Sequence, residues 1–109
     1  MSMTVNEYQQ LAMATLNGNL NQRDILINGV MGLCGEAGEA IDIVKKHLAQ
    51  GHALDREHLI EELGDIAWYL AETATALEID LDEVFSRNIE KLKKRYPEGF
   101  EYDRSRQRE

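Results

Sequence analysis

At 109 residues and 12.4 kDa the chain has room for one domain, near the small end of comfortable stability. Its 43% hydrophobic residues, single Pro and eight Gly exclude a disordered chain and point to a helical globular one. No apolar run approaches the length needed to cross a bilayer, and a formal charge of −8 argues against binding a nucleic-acid polymer, which rests on clustered Lys and Arg.

The basic residues are uneven in distribution. Arg87, Lys91, Lys93, Lys94, Arg95, Arg104, Arg106 and Arg108 are eight of the twelve, so only the C-terminal quarter welcomes anions without a metal. The chain does not open on a basic segment followed by an apolar one, so a cytoplasmic location is expected. A lone Cys34 excludes an intramolecular disulfide and argues against a cysteine-based zinc site.

In chain order, Thr4-Val5-Asn6-Glu7 forms a capping box that starts a first helix, with Val5, Tyr8, Ala12 and Leu16 as its apolar stripe. Asn17-Gly18-Asn19 ends it. A long helix is predicted from about Asp24 to Gln50, its apolar side formed by Leu26, Val30, Leu33, Ala37, Ile41, Val44 and Leu48. Glu36 and Glu39 lie off that side, on a second stripe with Gly32, Ile43 and His47. Gly29, Gly32, Gly35 and Gly38 recur every third residue, and each costs about 1 kcal/mol relative to Ala in a helix interior. Close approach of another helix or subunit is the simplest compensation; room for a ligand or metal-bound water is the alternative.

Gly51 caps the long helix, and Asp55 caps a third that runs to about Leu77, with Leu59, Leu63, Ile66, Leu70, Ala74 and Leu77 as its inner face. The short Gly51–Leu54 connection predicts an antiparallel helical hairpin. Counted back from that turn at 1.5 Å per residue, Glu36/Glu39 and Glu62/Asp65 come within roughly 8 Å of each other axially. Asp80-Leu81-Asp82-Glu83 reads as another capping box, opening a helix that ends near Tyr96 with Leu81, Val84, Phe85 and Leu92 as its apolar face. Asn88 sits within that face, followed by Lys91 and Arg95 on one strip; it serves either helix register through a buried hydrogen bond or phosphate binding. The domain is expected to span 1–103, with 104–109 as a charged tail that has nothing to bury.

Acids on helices are most often a solvated face. Here two pairs, each with its members about 5–6 Å apart between Cβ atoms, both flank apolar faces and are folded together by the turn. Inward carboxylates must share a cation or take up protons, and oxygen-only ligation favours Mg²⁺ or Mn²⁺ over Zn²⁺. Mg²⁺ in such a site keeps waters and binds substrate phosphates. His47 stands about 12 Å beyond Glu39 along the helix, too far to share the ion with all four acids. His58 is one turn from Glu62 but reads as a surface histidine near the turn. Cys34 reads as a small core residue, and Trp68 and Tyr69 as core or interface aromatics, with base stacking as the minority reading.

The pattern Glu36-x-x-Glu39, twenty-two intervening residues, then Glu62-x-x-Asp65 resembles the metal-binding signature of the MazG-like, all-α nucleoside triphosphate pyrophosphohydrolases. The flanking stretches Gly32–Glu39, Lys45-Lys46-His47, Glu61–Leu70 and Asn88–Pro97 strengthen the likeness, which covers nearly the whole chain. The resemblance implies a four-helix, oligomeric MazG-like bundle hydrolysing (deoxy)nucleoside triphosphates to monophosphate and pyrophosphate, in nucleotide-pool sanitation. It implies that Glu36, Glu39, Glu62 and Asp65 hold Mg²⁺, or Mn²⁺, that Glu39 or Glu61 accepts a proton, and that Asn88, Lys91 and Arg95 position the phosphates. Because the family forms dimers and tetramers whose neighbouring subunits complete the site, Lys45, Lys46 or Trp68 can act across an interface. Within the fold, a specialised dUTP, dCTP or phosphoribosyl-ATP hydrolase differs only in its pocket. A di-iron bundle is disfavoured, since neither Glu39 nor Glu62 has a His three residues on. A non-catalytic metal-binding helical bundle is the rival of another class.

Overall fold

The computed structural model of the protein describes residues 2–106. Local hydrogen bonds set most of its helix boundaries. Thr4 and Glu7 form the expected capping box at the start of α1 (Val5–Met13), each accepting the other's backbone N–H at 3.0 Å. Asn21 Oδ1 accepts the Asp24 N–H at 2.8 Å and starts α2 (Gln22–Ala49) two residues before the expected position. At 28 residues α2 is about 42 Å long. Gly51, at φ +73°, turns the chain, and His47 Nδ1 clasps the His52 carbonyl at 2.9 Å across the turn. Asp55 caps α3 (Arg56–Ala76) through the His58 N–H.

The start of α4 (Leu81–Arg95) corrects the sequence reading. Asp80 is its N-cap but makes no side-chain capping bond, so the expected second capping box does not form. The caps come from α1 instead: Gln9 Oε1 accepts the Leu81 N–H at 2.7 Å and Asn6 Oδ1 that of Asp82 at 3.3 Å. The Gln9 amide also donates to Thr75 Oγ1 and to the Ile79 carbonyl, so one buried side chain joins α1 to the end of α3 and the start of α4. A short α5 (Tyr102–Arg106) follows. Of the tail expected at 104–109, residues 107–109 lie outside the described residues. No strand forms among the described residues, and no helix there is long and apolar enough to cross a membrane.

A small core of Ala12, Ala71, Ala74 and Leu81, joined by Tyr8, Trp68 and Ile79, binds α1, α3 and the start of α4. Trp68 Nε1–H donates to the Ala12 carbonyl and to Thr15 Oγ1, fastening α1 to α3. Of the apolar face expected on α4, only Leu81 is buried. Against α3, α2 lies with Asn28 meeting Glu72, Gly29 meeting Thr73, Gly32 meeting Tyr69 and Glu36 meeting Glu62.

That register decides which face of α2 meets α3. Its glycine and glutamate stripe, not its apolar side, faces α3, and Ile41 and Leu48 are left 63% and 76% exposed. The cause is the glycines. A Cβ at Gly29 would lie 2.4 Å from Thr73 Oγ1 and 3.2 Å from its backbone nitrogen, so only glycine admits α3 at this distance. Cys34, expected in the core, is exposed for the same reason. The Cα radius of gyration is 17.0 Å, against about 13 Å for a compact chain of this length.

Candidate metal centre

The close approach at Gly29 and Gly32 carries the next residue of that stripe, Glu36, onto the carboxylates of α3. One oxygen from each of Glu36, Glu62 and Asp65 lies within 4.8 Å of the others. Glu62 is 5% exposed. Its Oε1 is 3.2 Å from His58 Nε2, whereas its Oε2 and Glu36 Oε2 are both buried with no hydrogen-bond partner. Contact with the Glu62 carboxylate raises the Glu36 pKa above the usual carboxylate range; burial and the charges of Glu62 and Asp65 push the same way, while Glu39 opposes them. Two orphaned buried oxygens facing a third carboxylate form a donor set that fits a hard cation.

The four expected metal positions are therefore not equivalent. Glu39 is exposed one turn beyond Glu36, beside the triad rather than in it, and lines a groove of about 710 Å³ with Gly35, Gly38, Asp42, Lys46 and His58. Gly35 and Gly38 meet nothing within 4 Å of a built Cβ, so the glycine run divides between helix contact at its first half and open groove at its second.

A model of the MazG nucleotide pyrophosphohydrolase domain matches residues 28–100. The chain belongs to this family. It is also 42% identical over 73 residues to the Gene 37 protein of Mycobacterium phage L5, a match covering 63% of this chain and 64% of the phage protein. The chain thus spans just under two thirds of that relative's length. No solved structure matches it.

Within this MazG domain the remaining expected residues are dispersed. Lys46 lines the groove and pairs with Asp42 at 3.2 Å. Trp68 and Tyr69, edge to face at 5.1 Å, line a recess of about 360 Å³ with Glu36 and Asp65. The Trp68 N–H is already engaged by α1, so only its ring is offered to that recess. Lys45 and Glu61 are exposed. Asn88 and Lys91 are exposed and Arg95 half-buried on α4, and none of the three makes a side-chain hydrogen bond or ion pair among the described residues. His58, read from the sequence as a surface histidine one turn from Glu62, is half-exposed but touches that carboxylate, and sequence reasoning passed over exposed Asn28 and buried Glu72, whose only signal was that Glu72 continues the Glu62/Asp65/Tyr69 stripe.

Proposed function

We propose that this MazG domain hydrolyses (deoxy)nucleoside triphosphates to the monophosphate and pyrophosphate with Mg²⁺ or Mn²⁺. The observation that carries the reading is the pair of buried, unpartnered oxygens on Glu36 and Glu62 beside Asp65. Glu36, Glu62 and Asp65, with Glu39 at the groove edge, would hold the cation. When bound, the ion offsets the charge of substrate phosphates and of these acids, which a chain of net charge −8 would otherwise repel. The open wall at Gly35 and Gly38 leaves room for the phosphate chain. Glu39 faces that groove, which Glu61 does not line, so we assign Glu39 to accept the proton of the attacking water. Lys46 stands on the same groove to meet a phosphate oxygen, and the ring faces of Trp68 and Tyr69 offer a stacking surface beside Asp65.

The register of α2 on α3 supports the antiparallel hairpin, and the exposed apolar side of α2, with the half-covered α4, supports a homo-dimer or tetramer. In such an assembly Asn88, Lys91 and Arg95 would reach phosphates from a neighbouring copy. Pyrophosphate release from a panel of canonical and damaged triphosphates, with and without Mg²⁺, tests the activity. Glu62→Gln and Glu39→Gln are expected to abolish release while keeping helical circular dichroism. Wild-type turnover in Glu62→Gln would overturn the assignment.

A further inference from the structure

We infer that His58 is a positioning residue that aims the Glu62 carboxylate at the cation site. The inference rests on the cation reading above and adds a residue to it. His58 Nε2 lies 3.2 Å from Glu62 Oε1, an ion-pair contact in which the imidazole is the cationic or donor partner and the carboxylate the acceptor. The other oxygen, Oε2, is the buried and unpartnered one. One oxygen of Glu62 is therefore occupied by the imidazole, and the second remains as the free donor.

The imidazole is itself placed by the first turn of α3. Asp55 Oδ1 caps the helix by accepting the His58 backbone N–H at 3.2 Å, and its Oδ2 lies 3.9 Å from His58 Nδ1 on the far side of the ring. Asp55, His58 and Glu62 thus form a line from the groove to the buried oxygen, with His58 half-exposed on the groove wall. A carboxylate ligand held from behind by such a polar contact is restricted in rotation. Removing such outer support costs roughly 10–100-fold in metal affinity.

Substitution separates the donor from the bulk of the ring. Gln at position 58 can put an amide nitrogen where Nε2 stands, whereas Asn can reach only the Nδ1 position. Mn²⁺ binding to the intact chain, measured by titration calorimetry without nucleotide, is the readout, with melting of the metal-free variants as the check on folding. His58→Ala and His58→Asn are expected to bind Mn²⁺ about tenfold or more weakly, His58→Gln as the wild type does, and all three to melt near the wild type without metal. If His58→Ala and His58→Asn bind as tightly as the wild type, the positioning role is overturned and the cation site stands. If His58→Gln is as weak as His58→Ala, the ring rather than its donor matters, and the inference also fails. If the wild type binds no Mn²⁺, the cation reading fails and takes the inference with it.

Discussion

Asn28 Nδ2 lies 2.9 Å from both carboxylate oxygens of Glu72, a side chain with no exposed surface. This amide is the carboxylate's only hydrogen-bond partner among the described residues, and it links α2 to α3 two helical turns beyond Asp65. Leaving a buried acceptor unpaired costs about 1–3 kcal/mol, more when it is charged. Asn28→Leu should therefore lower the unfolding free energy by about that amount and move the urea midpoint down. An unchanged midpoint would show that water reaches Glu72 and that the pair holds nothing together.

The divided glycine run makes opposite predictions for one kind of substitution. Gly29→Ala drives a methyl into Thr73, whose hydroxyl is already bonded to the Tyr69 carbonyl at 2.8 Å, and overpacking of this kind costs about 1–3 kcal/mol. Gly35→Ala meets nothing and gains about 1 kcal/mol from helix propensity. Thermal melts of the two variants should move in opposite directions. The methyl of Gly35→Ala also protrudes into the groove, so its stability gain should come with slower nucleotide turnover.

Acid–base linkage at the centre has a definite sign. Glu36 has its folded pKa raised above the ordinary 4.5, so the metal-free fold holds this proton more tightly than the unfolded chain does. That stability is fully present below the unfolded pKa and is lost as pH rises through the raised folded value. Metal-free melting should accordingly fall as pH rises above 4.5, and Glu36→Gln should flatten the fall. Glu7, lowered by the Thr4 backbone N–H and hydroxyl, acts with the opposite sign below 4.5, so the two windows separate. A cation competes with the Glu36 proton, and the thermal shift produced by Mg²⁺ should grow as pH rises through the upper window.

The uncovered apolar side of α2 predicts association. Sedimentation equilibrium should return a mass that is a multiple of 12.4 kDa, and Ile41→Glu, on the exposed side, should lower it. A wild type that sediments as a single chain at micromolar concentration would remove the proposed oligomer.

What the sequence by itself determined is local. The Thr4/Glu7 box, the Gly51 turn and the Asp55 cap are hydrogen bonds or backbone preferences closed within a few residues, so spacing alone identifies them. The positions of Glu36, Glu62 and Asp65 were legible for a similar reason: two helices joined by a short turn have little freedom in axial register. Only the tertiary structure decided which face of α2 meets α3. Apolar periodicity tells that a stripe is to be covered, not by what, and here the glycine stripe took the intrachain contact because it alone allows so close an approach. The caps of α4 were equally beyond local reading, since Gln9 and Asn6 reach it from 72 and 76 residues away and displace the box that Asp80 and Glu83 spell out. The separation of Glu39 from the triad follows from the same helix contact, which turns Glu36 toward α3 and leaves the next turn facing the groove.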